Sequence, residues 1–304
     1  MSPDSRYHLR ENRLQLAVGL NLTAFFLFAT LDATAKWLVE ASVPALQVAF
    51  FRYFFHFVWV LVLFLPRQGS ALWRSAIPAQ QIFRGSLLMI STICNFTALI
   101  YLPLTVTTAM FNGAPLVICL LSMPVLGEKV GIRRLVAVLV GFCGVLIIIQ
   151  PWGTSFDWHI LYAVAALLGA SGYFLMSRIT AGIDSNPVSQ FYGSGVGVLV
   201  LAPMMAVVFV WPANAQQWLM LVMLGALGML GHSLLTIAHR FAEASTLAPA
   251  VYSQLVYMSL FSWYLFDTPP TLTVIVGSLI IVASGLYIWF REQQISASAV
   301  THTK

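Results

Sequence analysis

The chain has 304 residues, of which 60% are hydrophobic and only 8% are charged, whereas a soluble domain is roughly 25% charged. A soluble fold of this size has too little interior to hide so much apolar surface, so the composition predicts that lipid covers part of it. The formal net charge of +5 does not indicate a nucleic-acid-binding protein, because the basic residues lie in short connections between apolar runs and form no single patch.

Ten apolar runs follow one another along the chain, and each is close to the roughly 20 residues that a membrane-spanning helix needs. Because the connections are short, the sequence predicts an all-α, polytopic membrane protein of about ten transmembrane helices without an extramembrane domain. Residues 1–14 precede the first span and residues 291–304 follow the last. The predicted spans are residues 15–37, 44–65, 82–102, 105–126, 133–150, 158–178, 187–209, 217–239, 245–266 and 271–290.

The Lys and Arg residues predict the orientation of these spans. With the N-terminus in the cytoplasm, 13 of the 15 basic residues fall on the cytoplasmic side, and only Lys36 and Arg52 do not. This bias follows the positive-inside rule, and it predicts an even number of spans with the N-terminal segment and the C-terminal tail both cytoplasmic. The thirteen residues are Arg6, Arg10, Arg13, Arg67, Arg74, Arg84, Lys129, Arg133, Arg134, Arg178, Arg240, Arg291 and Lys304.

A weak internal repeat relates the first five spans to the last five. At a displacement of 140 residues Gly85 meets Gly225, and at 142 Ala24 meets Ala166. A nearly constant displacement aligns all five pairs of spans, and because five is odd, the second half must enter the membrane inverted. Inverted repeats place a substrate site at their interface, near the midplane of the bilayer. The two expected five-helix repeats are residues 15–150 and 158–290.

Two opposite charges lie inside the first and second predicted spans, where a charge costs about 2.5–3.5 kcal/mol on insertion scales. Asp32 and Arg52 are each about six or seven residues from the outer ends of their spans, so they can meet across the short connection. Lys36 lies one helical turn after Asp32 and can also pair with it. His56 lies near the middle of the second span. Two interpretations stay open for these four residues: an ion pair that locks the helices together, or substrate contact and proton coupling.

Further polar residues share this depth or this helix face. Asn95 and Asn112 lie about seven residues from the outer ends of the third and fourth spans. On the first span, hydrogen-bonding and aromatic side chains alternate within a narrow arc, given a turn of roughly 100° per residue. This arc consists of Asn21, Phe25, Phe28 and Asp32. All of these residues are candidates for substrate contact, and ordinary hydrogen bonding between helices is the alternative.

The sequence predicts no metal and no cofactor. His232 and His239 lie towards the inner end of the eighth span, away from Asp32, and the chain has no HExxH-like spacing. The run from Gly193 to Gly197 lies inside an apolar span and lacks a following Lys, so it is not a phosphate-binding loop.

The passage from Pro115 to Gly127-Glu128, followed by a helix with Gly141 and Gly144, resembles the EamA-type members of the drug/metabolite transporter superfamily. The resemblance extends over nearly the whole chain. It implies a ten-helix basket in the cell inner membrane of a bacterium. In that basket, spans one to four and six to nine line a cavity, while spans five and ten lie outside.

The stretch from Asp32 to Trp37, followed by Pro44, Gln47 and the Phe51-Arg52-Tyr53 triplet, is similar to one subgroup of that superfamily. The subgroup includes bacterial riboflavin importers and S-adenosylmethionine permeases. The resemblance therefore implies a carrier whose partners are a small-molecule substrate and the lipid bilayer. It leaves open whether the chain forms a homodimer and whether it imports or exports.

Two other classes of function compete with a carrier. A membrane-embedded enzyme would need a converging nucleophile and base or a set of metal ligands, and the sequence shows no such motif. A channel would usually need a ring of like residues contributed by an oligomer. The internal repeat instead favours alternating access.

The subgroup resemblance and the polar residues together predict riboflavin uptake. Eight residues could contact riboflavin: four offer aromatic faces to the flavin ring, and four offer polar groups to its amide edge and hydroxyls. An uncharged substrate also suits a cavity in which Asp32 and Arg52 neutralise each other. S-adenosylmethionine or an amino-acid-type metabolite is the alternative, since a zwitterion can use Asp32 and Arg52 as two separate clamps. The eight residues are Phe25, Phe28, Trp59, Tyr252, Asn21, Asn95, Asn112 and Gln254.

Overall fold

The computed structural model describes residues 14–127, 131–150, 157–180, 182–238, 241 and 247–301. Residues 1–13 of the predicted N-terminal segment and residues 302–304 of the predicted tail lie outside this part of the chain. All regular structure in the described residues is helical, as predicted. The helices are α1 (Leu14–Glu40), α2 (Ala45–Gln68), α3 (Pro78–Tyr101), α4 (Leu104–Phe111), α5 (Ala114–Leu126), α6 (Ile132–Ile149), α7 (Ile160–Ile179), α8 (Asn186–Val208), α9 (Ala215–Ala238), α10 (Ser253–Phe266) and α11 (Leu272–Thr301), with 3-10 turns at Gly69–Trp73 and Ala248–Tyr252.

Eight helical segments in the described residues are long and apolar enough to cross a bilayer, and α4 with α5 counts as one of them. Two shorter apolar segments complete the ten predicted spans. One is α6, and the other is the Ala248–Tyr252 turn together with α10. The prediction of a polytopic helical protein is therefore confirmed.

The fourth and ninth of these spans are broken. α4 ends at Phe111 and α5 begins at Ala114, while the ninth span starts as a 3-10 turn before α10 continues it. Pro115 is the second residue of α5, and Pro249 is the second residue of the Ala248–Tyr252 turn. Proline has no backbone N–H and is tolerated at the start of a helix, so each one fixes where its helical segment begins.

The two halves pack symmetrically. α1 lies along α9 as α7 lies along α3, and α2 contacts α9 as α8 contacts α3. The pairs α2–α8 and α6–α11 each map onto themselves when the halves are exchanged. The halves are therefore related by a pseudo-two-fold axis, which makes them inverted because each half crosses the bilayer five times.

Small residues make the close crossings possible. A Cβ on Gly144 would lie 2.6 Å from the carbonyl oxygen of Gly277, and the reverse holds at the same distance, so the α6 and α11 backbones touch directly. Gly85 on α3 faces Val196 of α8, and its repeat partner Gly225 on α9 faces the backbone of α2 in the same way. Such contacts are how helices associate in lipid, where no hydrophobic force drives them together.

Large apolar side chains cover the outside of the bundle. Leu199 is 77% exposed and Val207 is 88% exposed, although both lie within the apolar helix α8. In water such a surface would be an aggregation hazard, whereas in a bilayer it is the lipid-facing surface. We call the bundle face at which α1 begins the first face. The α2–α3 and α7–α8 connections also lie there, and the α1–α2 and α8–α9 connections lie at the opposite second face.

Candidate functional site

A cavity lies at the interface of the two halves, with walls from α1, α2, α3, α7, α9 and α10 and from Phe111 at the end of α4. Its volume is about 90 Å³, so the cavity is narrow in this state. The breaks in the fourth and ninth spans adjoin it, because Phe111 directly precedes one break and Gln254 follows the other. Discontinuous helices beside a midplane cavity are typical of substrate sites in transporters with inverted repeats.

Asp32 contributes a carboxylate to this wall. Its Oδ1 accepts a hydrogen bond of 3.1 Å from Nδ2 of Asn95 on α3. Within the described part of the chain, no ion pair joins Asp32 to Arg52 or Lys36. A carboxylate accepts up to four hydrogen bonds, so Asp32 retains capacity for a cation that enters the cavity.

Arg52 contributes a guanidinium to the same wall and is only 6% exposed. One Nη donates to Oγ1 of Thr92 at 2.7 Å, and the guanidinium lies 4.9 Å from the ring centre of Tyr53. The Thr92 hydroxyl donates to the Leu88 carbonyl, so the Tyr53 hydroxyl, 2.8 Å away, must donate to Thr92. The buried Nε has no hydrogen-bond partner among the described residues.

Asp32 and Arg52 therefore share one cavity, as their equal depth predicted, but each is held by a neutral side chain of α3. Thr92 and Asn95, which hold them, lie three residues apart and hence on one face of that helix. The chain thus presents one negative and one positive group to the same small space. Each can bind a ligand group of opposite charge without breaking an ion pair in the protein.

Aromatic rings form much of the remaining wall. Phe25 and Phe28 meet edge to face with centroids 6.2 Å apart, and the His232 ring lies 4.9 Å from Phe28. Gln254 also lines the cavity, and its side-chain amide makes no hydrogen bond with the described residues. Phe25, Phe28 and Gln254, which the sequence analysis proposed for substrate contact, all lie in the wall of this cavity. The other aromatic wall residues are Phe96, Phe111, Tyr173 and Phe174.

Three residues predicted to contact substrate are instead engaged with the protein. Asn21 donates to the Leu247 carbonyl at 3.1 Å, and Asn112 donates to the Thr108 carbonyl within its own turn at 3.0 Å. The Tyr252 hydroxyl packs directly against Gly285 of α11. Asn112 closes the end of α4, which explains its burial better than its depth in the membrane does.

Lys36, His56 and Trp59 also lie away from the described cavity wall. Lys36 pairs with Glu40 at 3.0 Å and donates to the Leu99 carbonyl at 3.2 Å, near the carboxyl end of α3, where the helix dipole favours a cation. His56 contacts Gln190 of α8 at 3.0 Å. Trp59 packs in a separate apolar cluster around Val60.

Sequence reasoning missed several wall residues that the internal repeat could have located. At a displacement of 140 residues Thr92 meets His232 and Asn95 meets Leu235, and all four line the cavity. At 142 residues, wall residues on α1 meet wall residues on α7. These further pairs are Leu31 with Tyr173 and Asp32 with Phe174.

No group of three or more His, Cys, Asp or Glu residues in the described chain is arranged to hold a metal ion. His56 and His232 lie with ring centroids 6.1 Å apart, but His56 is tied to Gln190, whose own amide donates to Ser233 at 2.9 Å. His239 lies outside the described residues.

The sequence model of the EamA-like transporter family matches this chain twice, at residues 15–150 and at residues 157–290. The chain is 30% identical over 275 residues to a pseudopaline exporter of Pseudomonas aeruginosa, covering 89% of this chain and 95% of that protein. It is 26% identical to an S-adenosylmethionine uptake transporter of Rickettsia prowazekii, covering 88% and 90%.

A riboflavin transporter of Brucella anthropi is 25% identical to the chain, covering 90% of this chain and 98% of that protein. A crystal structure that is 21% identical matches the fold with a TM-score of 0.63, over 92% of this chain and 98% of that one. The three transporters match this chain over at least 90% of their own length, and the substrates in their names differ.

Proposed function

We propose that this chain, which belongs to the EamA-like transporter family, carries a small metabolite by alternating access through the cavity between its halves. Its sequence already predicted a resemblance to that family. A pseudo-two-fold pair of halves can rock about a central site and expose it to one face at a time. The named relatives are transporters, which agrees with a carrier and not an enzyme.

The substrate that this cavity fits best is an amino-acid-type zwitterion. The observation that carries the proposal is that Asp32 and Arg52 line one cavity without pairing with each other. A substrate ammonium would bind the Asp32 carboxylate, and a substrate carboxylate would bind the Arg52 guanidinium. Hydrogen bonds with an ionised donor or acceptor are roughly twice as strong as neutral ones, so two such contacts would dominate recognition.

The aromatic wall adds a requirement for the rest of the substrate. Phe25, Phe28 and Tyr173 offer ring faces and edges to an apolar or aromatic body attached to the zwitterionic group. S-adenosylmethionine has an α-ammonium, a carboxylate and an aromatic base, and a relative is named for its uptake. It is therefore the most informative first probe.

Riboflavin uptake is the second candidate. It is favoured by relatives named as riboflavin transporters and by the Phe25, Phe28 and Gln254 side chains, which suit a flat ring with an amide edge. The sequence favoured riboflavin partly because Asp32 and Arg52 could neutralise each other. In the structure these two side chains do not form an ion pair, so this support for riboflavin is lost.

A thermal-shift series on the purified protein separates these candidates, since a ligand that binds only the folded state raises the unfolding temperature by mass action. The series compares S-adenosylmethionine, 5′-methylthioadenosine, which lacks the amino-acid group, and riboflavin. We expect stabilisation by the first alone. Stabilisation by riboflavin, with growth of a riboflavin auxotroph that expresses the chain, would establish the second candidate and exclude the zwitterion.

The placement in the membrane is also proposed from sequence. The distribution of Lys and Arg favours an orientation with the first face in the cytoplasm. The family resemblance favours the bacterial inner membrane, and the nearly constant internal displacement favours residues 15–150 and 158–290 as the two repeats. Under this orientation a cysteine at Asp157 or Trp158, in the α6–α7 connection, reacts with an impermeant reagent from outside. Labelling only from the cytoplasm would reverse the orientation.

A further inference from the structure

A carboxylate at the first face ties the two halves together. Asp184, in the α7–α8 connection, accepts hydrogen bonds from the Ser75 hydroxyl at 2.5 Å, the Ala76 backbone N–H at 3.0 Å and the Gln81 amide at 2.9 Å. Ser75 and Ala76 belong to the α2–α3 connection, and Gln81 lies in the first turn of α3. We call these four residues the first-face latch.

A second set of hydrogen bonds joins the halves at the second face. The Gln47 amide, in the first turn of α2, donates to the Val210 carbonyl and accepts from the Val210 N–H, both at 2.7 Å. Gln217, in the first turn of α9, donates to the Ala41 carbonyl at 3.3 Å and accepts from the Ala213 N–H at 2.6 Å. We call these five residues the second-face latch.

The two latches are counterparts in the internal repeat. Exchanging the halves converts the α2–α3 connection into the α8–α9 connection and the α7–α8 connection into the α1–α2 connection. Ala76 and Ala213 each lie two residues before their helices, and Gln81 and Gln217 lie in the first turns of α3 and α9. The cavity lies between the two faces, so each latch binds the halves to each other on one side of it.

We infer that the two latches are the gates of the transport cycle, and that Asp184 and Gln47 are the residues that hold them. The inference rests on the proposed carrier function and assigns its gating to particular side chains. Opening the cavity to one face separates the connections that the latch on that face joins, while the other latch stays formed. Weakening one latch therefore shifts the population towards the state that is open on that face.

Cysteine labelling from the two faces tests this inference. The reporter is Leu88→Cys, on the cavity wall, in the full chain with its three native cysteines replaced by alanine. Asp184→Asn removes the charge and one acceptor oxygen from the first-face latch. We expect the labelling rate with an impermeant thiol reagent to rise about tenfold from the first face and to fall from the second, as a shift of about 1.4 kcal/mol in the conformational equilibrium requires.

The matched control is Asp157→Asn, because among the described residues the Asp157 carboxylate contacts only His159 in its own connection. It should leave both labelling rates unchanged. Ser75→Ala, which removes a single donor from the same latch, is a milder variant that should act in the same direction as Asp184→Asn.

Gln47→Leu should have the opposite effect, with labelling faster from the second face and slower from the first. Its control is Gln80→Leu, an exposed glutamine that adjoins Gln81. The assignment of the latches as gates would be overturned if variants at both latches changed the labelling rates equally from the two faces, or did not change them at all. Counterflow of S-adenosylmethionine by the chain with both latches intact separates the two ideas. Normal exchange by that chain, with labelling unchanged in the latch variants, rejects the latches alone, and absent exchange by that chain rejects the carrier.

Discussion

Arg52→Met is the substitution that most sharply probes how the cavity recognises a ligand. It keeps a long apolar stem against Tyr53 and removes the guanidinium that lines the cavity. The Thr92 hydroxyl still has Tyr53 as donor and Leu88 as acceptor, so the change leaves no newly unpaired group there. Because the wild-type guanidinium is buried without a counter-ion, we expect the variant to fold at least as stably as the wild type.

The expected loss of affinity follows from one charge-assisted contact. A hydrogen bond to a charged group contributes about 1.5–3 kcal/mol. Each 1.4 kcal/mol is tenfold in Kd, so losing the carboxylate contact to Arg52 weakens S-adenosylmethionine binding about 10- to 150-fold. A ligand without a carboxylate makes no such contact and loses nothing.

Isothermal titration measures the affinity of the wild type and of the variant for S-adenosylmethionine and for its decarboxylated form. The four affinities give a double-mutant cycle between the protein and the ligand. The matched control is Arg67→Met, on the same helix, whose exposed guanidinium donates to the Leu63 carbonyl within its own turn. This control should leave both affinities unchanged. If the two ligands lose affinity equally in Arg52→Met, Arg52 does not bind a carboxylate and the zwitterion proposal fails.

Three further predictions follow from other parts of the molecule. Gly144→Val places a methyl-bearing Cβ against the Gly277 carbonyl and should lower stability by about 1–3 kcal/mol in thermal unfolding. Asn95→Leu removes the donor to the Asp32 carboxylate and should weaken zwitterion binding about tenfold, whereas Asn112→Leu should leave binding unchanged because Asn112 bonds only within its own turn. Burial would raise the pKa of Asp184, but its three hydrogen bonds outweigh burial and lower that pKa below 3.8. The carboxylate therefore stabilises the latch fully above the unfolded pKa, which is near 3.9. This stabilisation is lost only as pH falls through the lower folded pKa. The labelling rate of the cavity cysteine from the first face in Asp184→Asn, divided by the rate in the wild type, should therefore be constant between about pH 5 and 8. Taking this ratio cancels the rise of the thiolate fraction with pH, which is the same in both proteins.

Hydropathy located all ten spans because lipid demands a long apolar run for each crossing. The predicted second span, 44–65, and seventh span, 187–209, lie close to Ala45–Gln68 and Asn186–Val208. The last helix continues to Thr301, beyond the predicted residue 290, because the polar stretch after Phe290 contains no Gly or Pro and is rich in helix-forming residues.

Depth along a helix was predictable, but the direction of a side chain was not. Asp32, Arg52 and Asn95 were expected at one level, and they do share the cavity. Lys36 lies on the same helix face as Asp32, yet its long side chain reaches Glu40 and the end of α3. Asn112 bonds back into its own turn because α4 ends there. Packing between helices and local breaks decide such choices, and neither is encoded in hydropathy.

The measurement that tests the central claim most directly is counterflow in proteoliposomes loaded with unlabelled S-adenosylmethionine. A carrier whose cavity opens to one face at a time exchanges internal solute for external label, so the label should accumulate transiently above its equilibrium level. Asp32→Asn and Arg52→Met should each abolish that overshoot. Label that enters without an overshoot, or an overshoot that survives both substitutions, would contradict alternating access through the Asp32–Arg52 cavity.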